Sequence, residues 1–105
     1  MNTEATRTTL RIEGEMTIYR AAELKPALIA PLAAKAELEV DLSAVTEIDT
    51  TGVQLLMLAK QTAQKERVGL HLVGHSPAVL EVFELLNLVA YFGDPVVLAS
   101  SGARA

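Results

Sequence analysis

An alternating run, Leu38 to Leu42, is followed after a short polar stretch by Ile48-Asp49-Thr50-Thr51-Gly52, and then at once by the apolar run Val53 to Ala63. The first run suits a strand and the second, by its length, a helix. A strand feeding a helix so closely calls for layered packing of sheet and helices. It also puts two hydroxyls and an aspartate at a loop-to-helix junction. There the first backbone N–H groups of the helix lack partners and the positive end of its dipole points outward. A hydroxyl at that place can cap the helix or accept a phosphate from a kinase.

The rest of the chain extends the same alternation. Thr8 to Ile12 reads as a strand, and Glu13-Gly14-Glu15 as a turn into a second short strand, Met16 to Ile18. Leu24, Leu28 and Leu32 have helical spacing within Ala21 to Ala34; Pro26 and Pro31 predict two helical pieces or an early stop. Glu37 to Leu42 is expected to be a central strand, and Asp41 to Thr51 the loop at its carboxyl end. Gly69 is expected to end the long helix, with a strand at Leu70 to Val73 after it. Ser76-Pro77 predicts a helix to about Leu86, with Ser76 as N-cap. Val96 to Ala99 reads as a last strand. The expected organisation is a flexible N-terminus over 1–7, one domain over 8–99 and a flexible tail over 100–105.

With 105 residues, the chain has room for one core. Half of the residues are apolar and only 4% aromatic, so that core must be aliphatic. No cysteine is present, which removes disulfides and thiol chemistry. A formal charge of −4 with scattered Lys and Arg argues against general nucleic-acid binding, which needs a basic face. No apolar run approaches the ~20 residues that span a bilayer, and no leader pattern opens the chain. The expectation is a small, soluble, cytoplasmic domain with no membrane insertion.

These elements predict a single α/β domain: a mixed four- to five-stranded sheet with helices packed on one face or side. Val40-Asp41-Leu42-Ser43-Ala44-Val45-Thr46-Glu47-Ile48-Asp49-Thr50-Thr51-Gly52-Val53 resembles the signature of STAS domains of the anti-sigma factor antagonist type. That signature is an apolar strand, D-L-S, an apolar-x-x-apolar loop, D-[ST]-[ST]-G and a Leu-rich helix. Gly14-Glu15-Met16 resembles the family's G-E-L, and Ala22-Glu23-Leu24 its A-x-x-L. Ser76-Pro77-Ala78-Val79 and Phe83-Glu84-Leu85-Leu86-Asn87-Leu88 resemble its S-P-x-V and F-x-x-x-G-L. The matches run in order over residues 8 to 99.

The resemblance implies a partner-switching regulator of transcription, not an enzyme. In such systems the unphosphorylated antagonist binds a serine/threonine kinase that is also an anti-sigma factor, and so frees the sigma factor. The kinase phosphorylates the hydroxyl residue after the motif aspartate, and a PP2C-type phosphatase resets the switch. Carried over, the acceptor is Thr50, with Thr51 second. Asp49, Thr50, Thr51, Gly52, Val53 and Met57 are the expected partner-binding residues. Two positions depart from the pattern. Thr17 stands where G-E-L is usually followed by Asp, and the acceptor is Thr where sigma-factor antagonists more often have Ser. Threonine occurs in related STAS proteins of stressosome and lipid-transport systems, which suggests a second role as a constitutive adaptor subunit.

Capping chemistry also separates the two threonines. Thr51-Gly52-Val53-Gln54 fits a capping box, which would engage Thr51 and leave Thr50 spare; Asp49 or Thr50 as N-cap is the other frame. Val53 and Met57 share a helix face one turn from the acceptor and are candidates for an exposed apolar contact. No nucleophile, base and orienting-acid set is visible, and no glycine fingerprint for a phosphate. No cofactor is expected. His71 and His75 read as a surface strand histidine and a loop histidine, not as a metal pair.

Overall fold

The computed structural model describes residues 7–92. Three parallel strands, β1 (Arg7–Met16), β2 (Glu37–Ile48) and β3 (Leu70–Val73), form a sheet in the order β1-β2-β3. Between them run a 3₁₀ turn (Ile18–Arg20), α1 (Ala21–Ala33) and α2 (Thr50–Glu66); α3 (Pro77–Leu85) and the short α4 (Val89–Phe92) follow β3. Among the described residues the sheet therefore has three strands and is parallel, where a mixed sheet of four or five was expected. The expected strand at Val96 to Ala99 and both expected flexible ends (1–6 and 100–105) lie outside the described residues.

Alternation over the first half of β2, Glu37 to Leu42, makes the sheet one-sided. Leu38, Val40 and Leu42 are buried, with Ile12 and Leu72 from the neighbouring strands, in one cluster with Leu24, Leu28 and Leu32 of α1, Leu55, Leu56 and Ala59 of α2, and Val79 and Phe83 of α3. The residues between them on β2, Glu37, Glu39 and Asp41, point to the opposite face. There they pair across strands: Arg7 with Glu39 at 3.7 Å, Arg11 with Asp41 at 3.4 Å, His71 with Glu37 at 3.0 Å. Parallel sheets are usually covered on both faces. This one has an apolar face under helices and a charged face.

Several expectations about element ends change. Gly14 does not turn the chain: at φ +83° it sits in a bulge, and β1 continues beside β2 through Glu15↔Glu47 and Met16↔Ile48. The guanidinium of Arg20 donates to the carbonyls of Glu13 and Glu15 and holds this irregular stretch. Ile18 thus starts a 3₁₀ turn and does not end a strand. β2, paired with that longer β1, runs to Ile48, so the expected loop from Asp41 to Thr51 shrinks to one residue, Asp49. Asp41 Oδ1 accepts from Ser43 N–H at 2.9 Å and stabilises the mid-strand irregularity.

α1 passes through both prolines without a break. An interior proline costs about 3 kcal/mol, but Leu24, Leu28 and Leu32 are each buried, and this i, i+4, i+8 stripe fixes the whole length against the core. α2 ends at Arg67, not at Gly69: Arg67 adopts φ +59° and its N–H, with that of Val68, closes on Ala63 O. At Gly69 a Cβ would meet the flexible carboxylate end of Glu37, which would have to shift to make room. α3 follows the sequence reading: Ser76 Oγ accepts from Val79 N–H at 3.2 Å and Pro77 opens the helix. Asn87, where the resembled pattern has glycine, takes φ +60°, and Leu88 N–H closes on Phe83 O at 2.8 Å.

The first turn of α2 lies hard against the end of β1. A Cβ on Gly52 would run into the Met16 carbonyl oxygen and come within 2.8 Å of Ile48 Cγ1. Gly52→Ala is therefore expected to lower stability by about 1–3 kcal/mol, the usual range for overpacking, read as a fall in the denaturation midpoint with little change in slope.

Candidate functional site

The site is the carboxyl edge of β1 and β2, where two chain segments meet at Asp49. With an extended backbone at this position, the Asp49 side chain caps α2: Oδ1 accepts from Gly52 N–H at 3.0 Å. Oδ2 accepts from Ile18 N–H at 3.1 Å, and the Asp49 amide donates to Met16 O at 3.2 Å. One residue thus starts the helix and joins it to the turn after β1. The amide of Gly52, with further N–H donors from Ile18 and Thr51, favours the carboxylate and holds the Asp49 carboxyl below its ordinary range.

Asp49 as N-cap overturns the capping box expected at Thr51. Thr50 and Thr51 are the first two residues of α2, and neither hydroxyl makes a hydrogen bond among the described residues. Thr50 is exposed and Thr51 half-buried. Accessibility, rather than capping, is what separates them. Gly52 and Val53 are buried, and Met57 is half-buried against the core. The exposed Val53–Met57 stripe considered from the sequence is not formed. Val53 instead forms part of the floor of a groove.

That groove, about 260 Å³, is lined by Ile48, Asp49, Thr50, Val53, Val82, Leu85 and Leu86. Thr50 sits on its lip. Large apolar side chains stand exposed at this edge: Leu85 at 76% and Leu86 at 53% in the groove's own lining, Ile18 at 62% and Tyr19 at 89% on the turn bonded to Asp49. Sequence reasoning missed all four. Leu86 has the spacing of a core residue after Val79 and Phe83, but α3 ends at Leu85, and the left-handed Asn87 turns Leu88 inward in its place. For Ile18 and Tyr19, a strand was expected where a capped turn forms.

Thr17 explains that turn. Buried between β1 and the turn, its hydroxyl accepts from Tyr19 N–H at 3.3 Å and donates to the Glu15 carboxylate. A hydroxyl can cap where the resembled pattern has Asp, so the turn is kept while its cap is neutral. Arg20, tied to Glu23 at 3.0 Å, completes the anchoring.

Elsewhere, His71 is paired with Glu37, while His75, expected as an ordinary loop histidine, is buried with its ring edge-on to Phe83, centroids 5.6 Å apart. Among the described residues no group of three or more His, Cys, Asp or Glu side chains could hold a metal ion. No helix among them is long and apolar enough to cross a membrane.

A family model described as the MlaB STAS domain matches residues 1–98. The chain belongs to the STAS domain family. Solved STAS-like structures agree with the fold. An anti-sigma factor antagonist from Mycobacterium paratuberculosis is 25% identical, with a TM-score of 0.76 over 94% of this chain and 83% of that one. A candidate anti-sigma factor antagonist from Thermotoga maritima is 19% identical, also at 0.76, over 94% and 86%. The anti-sigma factor antagonist SpoIIAA superimposes in its unphosphorylated form (15% identical, TM-score 0.70, over 92% and 84%). The phosphorylated form of SpoIIAA from Bacillus matches as well (14%, 0.67, over 93% and 88%). No curated protein matches the chain.

The lowered Asp49 pKa has a stability consequence. A carboxyl whose pKa falls on folding contributes stability that is complete above its unfolded value, ordinarily 3.8, and lost as pH drops through the folded value. Asp49→Asn, which keeps a capping oxygen, is expected to flatten the fall in thermal midpoint between neutral and strongly acidic pH, relative to the unaltered protein.

Proposed function

We propose that this STAS domain is a non-catalytic partner-switching protein of the anti-sigma factor antagonist type. It binds a serine/threonine kinase of the anti-sigma class through the Thr50 edge, and phosphorylation of Thr50 ends the complex. A PP2C-type phosphatase restores it. The observation that carries this reading is the division of labour at the helix start: Asp49 caps α2, so the Thr50 hydroxyl stands exposed on the lip of an apolar groove. Asp49, Thr51, Gly52 and Val53 shape that contact from below; Met57 supports it one helical turn on.

A phosphate on Thr50 would bring about −1.5 to −2 charges and three acceptor oxygens to the positive end of a helix. That placement is locally favourable, so the fold survives. The docking surface does not: a double negative charge at the groove's lip, beside Asp49, excludes a closely packed apolar partner by bulk and desolvation cost. The match of this fold to SpoIIAA in both of its phosphorylation states supports a change of surface without a change of fold.

One observation favours the second reading, a constitutive adaptor of a larger complex such as a transporter. Thr17 leaves no carboxylate where the antagonist pattern has Asp, which removes a charge from the kinase-facing edge. Binding to the cognate partner separates the two. Under the switch reading, Thr50→Ala binds undiminished and stays bound in the presence of kinase and ATP, while Thr50→Asp weakens binding at least about tenfold. Phosphopeptide mass spectrometry of the protein from its own host, in growth and in stress, should then find phosphate on Thr50. Full coverage of that peptide without phosphate under any condition would establish the adaptor.

A further inference from the structure

Ile18 and Asp49 lie 31 residues apart in the chain, yet one carboxylate joins the apolar turn to the start of α2. We propose that Asp49 is a positioning residue that ties the exposed Ile18–Tyr19 turn to α2, and that negative charge on Thr50 releases this turn. The inference rests on Thr50 being the modified residue of the proposed function and adds how the charge is transmitted.

The turn has little else to hold it against α2. None of its three residues is buried, and its bonds from Tyr19 N–H to Thr17 Oγ1 and from Arg20 N–H to Thr17 O are internal to the turn. Arg20 fastens the turn to β1, through the carbonyls of Glu13 and Glu15, and to Glu23. The Ile18 amide reaches across to Asp49 Oδ2.

A phosphate on the first residue of α2 stands at the same helix start that Asp49 caps. It also faces the Asp49 carboxylate as a like charge. Protonation does not relieve this near neutral pH, because the Gly52 amide above all keeps that carboxyl ionised. The carboxylate yields at its weaker hold. Its bond to the buried Gly52 lies inside the helix start, whereas its bond to Ile18 lies at the surface. Charge on Thr50 thereby loosens Ile18 and Tyr19, two of the four exposed apolar residues of the docking edge.

Amide hydrogen exchange by NMR on the whole purified chain tests this without kinase or partner. Asn caps a helix about as well as Asp, but its NH₂ offers Ile18 N–H no acceptor. Asp49→Asn is expected to speed exchange at Ile18 about tenfold, the size expected for losing a bond to a charged group, while Gly52 and Val53 change less than about twofold. Thr50→Glu should speed Ile18 as well, the neutral Thr50→Gln should not, and Thr50→Glu should add nothing once Asp49→Asn is present. Equal effects of Glu and Gln at Thr50, an unmoved Ile18 amide in Asp49→Asn, or joint acceleration of Ile18 and Gly52 would each overturn the proposal. If Asp49→Asn does not fold, the Glu and Gln comparison at Thr50 decides alone. An absence of phosphate on Thr50 in the host would sink the proposed function and leave these exchange rates untouched, so the two failures are told apart.

Discussion

The candidate functional edge depends on the contact between the first turn of α2 and the last residues of β1. Gly52 lets the helix backbone come down on the Met16 carbonyl, and no side chain fits between them. That close approach brings Asp49 within reach of Ile18 and lets its amide bond to Met16 O. With Asp49 engaged, the helix is capped by a residue that is not a hydroxyl. Both threonines are then free of structural duty, and Thr50 is the one that faces solvent. Spacing of the motif follows from this order: a cap, an exposed hydroxyl, a second hydroxyl, then the residue that must lack a side chain.

The sheet supports this arrangement from one side only. Among the described residues its apolar face carries the helices, and its other face is a row of partly exposed polar pairs that contribute little each. Stability comes chiefly from the aliphatic cluster under α1, α2 and α3. In that cluster the Leu24–Leu28–Leu32 stripe is strong enough to keep α1 continuous through two prolines. The edge bearing Thr50 projects from a well-packed body, and its exposed leucines and tyrosine are not drawn inward to complete the core.

Much of this could be read in the residues themselves. The helical stripes and the Ser76-Pro77 start of α3 follow local rules that packing does not override. What sequence reasoning missed lies elsewhere. Gly14 was read as a turn, yet pairing with β2 absorbs it as a bulge, and β2 itself extends to Ile48 because β1 lies beside it. Arg67 takes a left-handed position that local preference assigns to the nearby Gly69. Thr51 has the right neighbours for a capping box, but Asp49 wins because its carboxylate finds donors on two segments at once. At Gly14 and Thr51 a long-range contact decides between locally plausible states, while at Arg67 the last turn of α2 closes on its own carbonyls. The apolar edge of Ile18, Tyr19, Leu85 and Leu86 is hidden in the sequence because exposure depends on where the turn and α3 end, which the Thr17 cap and the left-handed Asn87 set.

The single-residue junction between β2 and α2 has one more consequence. Thr50 has no slack: its backbone is already helical, pinned behind by Asp49 and ahead by Gly52. A modifying enzyme cannot draw this residue into an extended groove, as it could a flexible loop, without breaking the cap and lifting the helix off β1. Under the proposed function, an enzyme that modifies Thr50 would have to read it as a point on a rigid relief, by shape across three chain segments and not by the residues on either side of it.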